Sequence, residues 1–456
     1  MNLHKSQRMQ LILNGSITSL LYKLAVPNLI SIIIISISQF SEAWYVGKIG
    51  TSTLASLAIV FPFVALASMF SAGAIGGGIT SALSRAIGKN DLDHANSVIW
   101  HSFLLQLFFS CVFFVVFVIF PRPIFEMIGG EKEVLEQSIF FSRIFFSFAP
   151  IIFLQFLMFS IFRGCGAYQV LAKINILFAL SNILLSGTFV LGWGWFPSFG
   201  IFGVAISNII CSGLSLIFMF IYILMGKFEV SFKIFPFNKN VIFDILRVGG
   251  VSAINSLSIA LTMALVTSFI SNYGTAAIAG YGLCARLENF LIPFAFGIGG
   301  VLTSAVGTNF GASQYYRARK IAWSGSLVIF IATNIIGITL AIFPHLWLDI
   351  FTSDPEAYLI GALYLGIVGP VFGIFSGGKT LYFASQGTGN MVIPLTGGIS
   401  RLIIVIIFGL LTNIFSWDIK IFFIGVALSL SAVGIILSIN MFGKVWNPDR
   451  YKIKFL

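Results

Sequence analysis

The chain has 456 residues, of which 58% are hydrophobic and only 9% are charged, and its formal net charge is +11. Soluble domains carry about 25% charged residues, so a surface this poor in charge must face lipid for the most part. Lipid satisfies no backbone hydrogen bonds, so the apolar mass is predicted to be helical. Nearly unbroken apolar runs at residues 29–37 and 112–120 exclude the alternating pattern of a membrane β-barrel.

Twelve apolar segments long enough to cross a bilayer follow one another along the chain, since about 20 helical residues span the hydrocarbon core. The first six lie at residues 20–45, 53–83, 96–120, 137–162, 170–192 and 201–225. The other six lie at residues 240–270, 276–306, 321–343, 357–383, 393–411 and 421–445. The predicted fold class is an all-α polytopic membrane protein of about 12 transmembrane helices.

A polar connector in the middle of the chain divides these segments into two groups of six. Residues 227–239 are predicted to form a cytoplasmic linker between an N-terminal lobe at 20–226 and a C-terminal lobe at 240–446. Residues 1–19, which show no signal-peptide cleavage pattern, and residues 447–456 are predicted to be a cytoplasmic segment and a cytoplasmic tail.

The two halves share sequence. A shift of 223 residues superposes Thr-Ser-Ala at 80–82 on Thr-Ser-Ala at 303–305 and Trp100 on Trp323, among seven identities in the 24 positions from residue 77. Internal repeats are common in secondary transporters. Because six spans return the chain to its starting side, the sequence predicts parallel, pseudo-symmetric lobes around a central cleft.

Basic residues are distributed unevenly between the two predicted faces. Nineteen of the 26 Lys and Arg residues, Arg401 among them, fall on the side of the N-terminus, and five fall on the opposite side. Arg286 and Lys379 are placed inside spans. The positive-inside rule therefore predicts a multi-pass protein of the plasma (inner) membrane with both termini in the cytoplasm.

No cofactor, metal or nucleic-acid site is indicated. The cysteines are isolated, the four histidines lack metal-ligand spacing, and no GxxxxGK[ST] phosphate loop occurs. No basic patch is interleaved with aromatic residues, so the net charge reflects topology and not a nucleic-acid partner. An enzyme is therefore not expected. The cysteines are Cys111, Cys165, Cys211 and Cys284.

Motifs along much of the chain resemble the multidrug and toxic compound extrusion (MATE) family. QFSEAWYVGKIG at residues 39–50 resembles the family's opening signature, in which an acid precedes Val-Gly, a basic residue and Gly. SALSRAIGKNDLDHAN at 81–96, FRGCGAYQVLAKIN at 162–175 and GIFGVAISN at 200–208 resemble its later loops and turns in the same order.

The resemblance implies export of amphipathic, often cationic compounds in exchange for H⁺ or Na⁺. It also implies that an acid on the first helix works with an Asn and an Asp on the fifth. Glu42 and Asn182 occupy the first two positions, Ser186 stands in place of the Asp, and Asn208 stands in place of a Thr on the sixth helix. Hard cations favour several oxygen ligands, so the missing carboxylate favours H⁺ over Na⁺.

Ionisable residues at membrane depth are functional candidates because they are costly there. Glu42 is predicted to bind a proton from outside and release it inside. Asn182 and Ser186 share a helix face and are predicted to hydrogen-bond Glu42. An outer-interface carboxylate for Glu42, and polar contacts between helices for Asn182, Ser186 and Asn208, are the alternative interpretations.

Further candidates are expected to line the substrate cleft. They are Gln39, Arg286, Glu288 and Lys379. Arg286 and Glu288 are two residues apart and therefore point to different helix faces. Lys379 is predicted to pair with Glu288 or to line the cleft of the second lobe; a structural ion pair or a snorkelling side chain is the alternative.

The leading hypothesis is a monomeric secondary transporter in contact with membrane lipid, which exchanges H⁺, or less readily Na⁺, for a cationic or amphipathic small molecule by alternating access. A flippase for a lipid or a lipid-linked oligosaccharide is the alternative. An intramembrane enzyme has little support, because no intramembrane carboxylate pair is evident, and a channel would pass current without a rocking motion of the lobes.

Overall fold

The computed structural model describes residues 5–447, apart from the side chains at 5, 289, 290 and 292. Residues 1–4 of the predicted N-terminal segment, and all of the predicted tail after residue 447, lie outside the described residues. Within the described part, all regular structure is helical, and the all-α prediction is confirmed. The predicted lobe and linker boundaries stay predictions.

Eighteen α-helices follow one another through the described residues. The first ten are α1 (Lys5–Asn14), α2 (Ile17–Gly47), α3 (Thr51–Ser68), α4 (Gly76–Gly88), α5 (Leu92–Phe114), α6 (Pro121–Met127), α7 (Lys132–Ser147), α8 (Ala149–Gly164), α9 (Tyr168–Leu191) and α10 (Ile201–Leu224). The remainder are α11 (Lys239–Ser271), α12 (Thr275–Gly311), α13 (Tyr315–Ile342), α14 (His345–Leu348), α15 (Pro355–Val368), α16 (Phe372–Thr388), α17 (Val392–Ile414) and α18 (Ile419–Asn440).

Among the described residues, 11 helices are long and apolar enough to cross a membrane, or 12 if α7 and α8 count as one bent span. Each coincides with one of the twelve segments predicted from the sequence. The two helices of the bent pair meet at 55°. Pro150 lies in the first turn of α8, and because it has no N–H it cannot donate the hydrogen bond that would continue α7 into α8 as one straight helix.

Local irregularities interrupt three of the long helices. A π-helix at Met69–Ile75 joins α3 to α4, another at Val115–Ile119 extends α5, and a 3₁₀ turn at Gly369–Val371 joins α15 to α16. The repeat partner of the first interrupted span, α12, is an unbroken helix. The short helices α1, α6 and α14 were not among the predicted elements.

The chain separates into two compact units, and the division falls inside α2 and α11. The first unit takes the chain up to Gly15 together with Tyr22–Gly249, and the second takes Ser16–Leu21 and the chain from Gly250. Each unit has its own apolar core. Phe162 and Ile245 lie in the core of the first, and Tyr364 and Phe422 lie in that of the second.

The polar connector before α11 is packed against the first unit. The Ser231 amide donates to Asn96 Oδ1 at 2.8 Å, and the Asn238 amide donates to His101 Nε2 at 2.8 Å. Phe228 is buried in the core of this unit, and the Arg8 guanidinium donates to the Lys227 carbonyl at 3.0 Å. Hydrogen bonds and the buried Phe228 side chain therefore hold the connector against the helices of the first unit.

The start of α11 lies against α4 through an ion pair and a close glycine contact. Arg85 on α4 lies 2.7 Å from the Asp244 carboxylate. A Cβ atom at Gly78 would lie 2.2 Å from the Ile245 carbonyl oxygen, which is closer than packed atoms approach. Gly78 is therefore required for the separation of these two helices.

We expect Gly78→Ala to lower the midpoint of thermal unfolding by about 3 °C, because overpacking costs roughly 1–3 kcal/mol. Gly73→Ala is the matched control, since a Cβ at Gly73 meets no atom within 4 Å. The measurement is the thermal unfolding of purified protein in detergent. Equal midpoints for the two variants would contradict the close contact.

Candidate functional site

A cavity of about 210 Å³ lies inside the first unit. It is lined by residues of α2, α3 and α7–α10, and Glu42 is the one Asp or Glu among the described residues that line it. No Lys or Arg lines it in the described part of the chain. Six phenylalanines contribute to its wall: Phe61, Phe141, Phe145, Phe156, Phe159 and Phe178.

Two asparagine amides hold one oxygen of the Glu42 carboxyl group. Asn208 Nδ2 on α10 donates to Glu42 Oε1 at 2.8 Å, and Asn182 Nδ2 on α9 donates to the same oxygen. Asn182 Nδ2 also donates to Ser38 Oγ at 3.2 Å. The structure records no hydrogen bond for Glu42 Oε2 among the described residues, so this oxygen can take a proton.

The α9–α10 hairpin brings the two asparagines together. Gly192 ends α9 with a left-handed conformation (φ 74°), which glycine adopts without steric cost. The Phe199 amide donates to the Phe189 carbonyl at 2.8 Å, which closes the connection. The adjacent ends of α9 and α10 then place Asn182 and Asn208 at the same depth.

Ser186 does not contact Glu42, so the predicted hydrogen bond between them is wrong. Ser186 Oγ instead lies 2.7 Å from Ser207 Oγ. Ser186 lies about one helical turn beyond Asn182, and one turn advances a helix by about 5.4 Å. The short serine side chain does not span that distance back to the carboxyl group. Gln39, by contrast, lines the same cavity as Glu42.

Several cavity residues were not predicted from the sequence. They are Gln155, Asn175, Cys211, Ser212 and Ser215. For two of them, helical spacing in the sequence could have indicated the position. Asn175 lies seven residues before Asn182, and Ser215 lies seven residues after Asn208. Seven residues are close to two helical turns, so each pair shares one helix face.

The second unit holds a buried ion pair. Arg401 on α17 lies 3.7 Å from Glu288 Oε2 on α12, and Tyr364 donates its hydroxyl to Glu288 Oε1. The prediction that Arg401 lies on the cytoplasmic face is wrong, since only 6% of it is exposed and it lies near the middle of α17. Its paired charge makes this depth tolerable.

Lys379 and Arg286 are not ion-pair partners of Glu288 in the described structure. Lys379 Nζ lies 5.9 Å from the Phe375 ring centroid, and with Glu288 it lines a small cavity of about 10 Å³. Arg286 is exposed, and its guanidinium carbon lies 5.8 Å from the Phe351 ring centroid. The predicted cleft candidates therefore do not form one cluster.

A family model described as MatE matches the chain twice, over residues 27–188 and 252–411. The two matches end 223 residues apart, which is the shift that aligns the two halves of the sequence. The match therefore covers most of the chain and supports the internal repeat.

Relatives share about a quarter of the sequence. A probable multidrug resistance protein of Bacillus subtilis, YoeA, is 24% identical over 375 residues, which cover 81% of each chain. An FAD transporter of Shewanella oneidensis is 24% identical over 369 residues, which cover 79% of this chain and 80% of the relative. A solved structure of a MOP superfamily transporter from Pyrococcus furiosus is 21% identical, with a TM-score of 0.86, and the alignment covers 96% of this chain and 98% of that chain.

Removing one partner of the buried pair in the second unit should destabilise the protein. We expect Arg401→Met to lower the thermal midpoint by on the order of 5 °C, because it leaves the Glu288 charge buried without compensation. The Glu288→Gln/Arg401→Met double variant should recover most of the loss. Differential scanning fluorimetry of purified protein measures both changes.

Arg122→Met is the control, because Arg122 makes an exposed pair with Glu126 at 3.5 Å, and exposed pairs contribute little. Its midpoint should change by less than about 1 °C. A double variant as unstable as Arg401→Met alone would show that burial of the Glu288 charge is not the cause.

Proposed function

The chain belongs to the MatE family, and on that premise we propose that it is a secondary active multidrug efflux transporter that exchanges H⁺ for organic cations or amphipathic drugs by alternating access. The family consists of transporters, so the chain is a multi-pass membrane protein and not an enzyme. The proposal rests above all on Glu42, the one acidic residue among the described residues that line the 210 Å³ cavity.

The partners of Glu42 favour H⁺ as the coupling ion. Both amide donors bind Oε1, so Oε2 is available to a proton. A hard cation such as Na⁺ needs several oxygen ligands. Ser186 is engaged by Ser207, and Asn182 Oδ1 is the one buried amide oxygen of this cluster that has no partner among the described residues.

The lining of the cavity favours a cationic substrate. A carboxylate supplies the charge, and phenylalanine rings offer faces that attract organic cations by about 0.5–2 kcal/mol each. The Shewanella relative is named an FAD transporter, but no described Lys or Arg lines this cavity. The cavity beside Lys379 holds about 10 Å³, which is room for about one water molecule.

Competition between proton and substrate supplies the coupling. The charged carboxylate binds the cation, and protonation removes the charge and releases it. When one proton exchanges for one singly charged cation, no net charge crosses the membrane, so the pH difference drives the exchange. Each pH unit supplies about 1.4 kcal/mol, which sustains roughly a tenfold outward gradient of substrate. The excess of basic residues on one face supports an inner-membrane protein with both termini in the cytoplasm, and we take it to act as a monomer.

Inside-out membrane vesicles test this function. With the vesicle interior acidified by respiration, we expect the wild-type protein to accumulate ethidium inside, and a protonophore should abolish the accumulation. Glu42→Gln should transport at least tenfold less, because glutamine cannot exchange a proton. The measurement is the initial rate of ethidium uptake, followed by fluorescence.

Glu131→Gln is the control, since Glu131 is exposed and lies outside the cavity. It should transport like the wild type. Equal rates for Glu42→Gln and the wild type would overturn the role of Glu42. Uptake that requires Na⁺ and survives the protonophore would contradict proton coupling, and no ethidium uptake by the wild type would favour a lipid flippase.

A further inference from the structure

The cavity of the first unit contains a second set of buried polar side chains, distant from Glu42. Asn175 on α9 and Ser215 on α10 both line it. Asn175 is 7% exposed and Ser215 is 1% exposed. We call this pair the second polar layer, and the group of Glu42, Asn182 and Asn208 the acidic layer.

The two layers lie about two helical turns apart. Asn175 precedes Asn182 by seven residues on α9, and Ser215 follows Asn208 by seven residues on α10. Since α9 and α10 form an antiparallel hairpin and meet at the acidic layer, both steps lead in the same direction. At 1.5 Å per residue the separation is about 10 Å.

The second polar layer has unused hydrogen-bonding capacity. Ser215 Oγ is buried and has no hydrogen-bond partner in the described part of the chain. The structure records no hydrogen bond for the Asn175 side chain among the described residues either, and the same is true of Gln155 and Ser212, which line the same cavity. Buried polar groups are nearly always paired, so the Ser215 hydroxyl group requires a partner that enters the cavity. The Asn175 amide lines the same cavity and can bind the same partner.

The surface between the layers is apolar and aromatic. Phe178 lies on α9 between Asn175 and Asn182, and further phenylalanines complete the wall. Glu42 and Cys211 are the titratable residues among the described lining, and neither belongs to the second polar layer. A charged group would gain no counter-charge there, whereas a carbonyl or hydroxyl group can bond to both an amide and a hydroxyl.

We propose that this cavity selects elongated amphipathic cations that carry an uncharged hydrogen-bonding group about 10 Å from the cationic nitrogen, with Asn175 and Ser215 as the residues that recognise that group. This inference rests on the proposed export of cations and specifies which cations are preferred. The flat apolar body of such a molecule lies against the phenylalanine rings, while its nitrogen lies at Glu42.

A matched pair of naphthalene cations tests the proposal. One is (6-acetylnaphthalen-2-yl)methyl-trimethylammonium, in which the acetyl oxygen and the charged nitrogen are at opposite ends of a rigid ring system. The other carries an ethyl group in place of the acetyl group. Both are supplied to inside-out vesicles of the full-length protein, and uptake is quantified by mass spectrometry over a range of concentrations.

We expect the wild-type protein to transport the acetyl compound with a KM about fivefold lower than that of the ethyl compound, as one hydrogen bond provides. Asn175→Leu and Ser215→Ala should each raise the KM of the acetyl compound about fivefold and leave that of the ethyl compound within about twofold. Ser102→Ala, which removes another buried hydroxyl group of this unit outside the cavity lining, should change neither value.

Equal KM values for the two compounds in the wild type would overturn the proposal, and so would variants that lose both compounds in parallel while Ser102→Ala retains them. In either case the polar groups bind water, or serve the structure of the unit. A wild-type protein that transports neither of these compounds nor ethidium contradicts the proposed export function instead.

Discussion

One partly buried carboxyl group with two amide donors organises the first unit. Asn182 and Asn208 come from different helices and donate to the same oxygen of Glu42, so α2, α9 and α10 must meet at one depth. The amides carry no formal charge, and the carboxyl group can therefore gain or lose a proton without leaving an unpaired ion of opposite sign. An arginine in place of either asparagine would fix the charge on Glu42 and remove this freedom.

The α9–α10 hairpin holds the two asparagines at the positions from which they bind Glu42. The short connection between α9 and α10, closed by the bond from the Phe199 amide to the Phe189 carbonyl, places Asn182 opposite Asn208. The bonded serines Ser186 and Ser207 add a polar contact between the same helices one turn beyond the carboxyl group. Because two further turns in the other direction lead to Asn175 and Ser215, the hairpin that positions the charge also determines the length of the cavity.

Much of the fold could be predicted from the sequence, but much of the site could not. Apolar runs identified every helix of the described residues that is long and apolar enough to cross a membrane, because lipid imposes length and composition on such segments. The failures concern single polar residues. Arg401 was placed at the membrane surface because charge alone was considered, whereas its partner Glu288 lies more than a hundred residues away in the chain. Ser186 shares a helix face with Asn182, but periodicity does not reveal how far a short side chain reaches. Asn175 and Ser215 fit that same periodicity, which cannot distinguish a cavity from a helix contact.

The acids inside the two repeats differ in the charge of their partners. In the first unit Glu42 is held by neutral amides and lines a cavity of about 210 Å³. In the second unit Glu288 is held by Arg401 and Tyr364, and the adjacent cavity is about 10 Å³. A buried ion pair depends on both of its members, since removal of either leaves the other charge buried without compensation. The ion pair therefore joins α12 to α17 within its unit, whereas the acid of the first repeat has no cationic partner among the described residues.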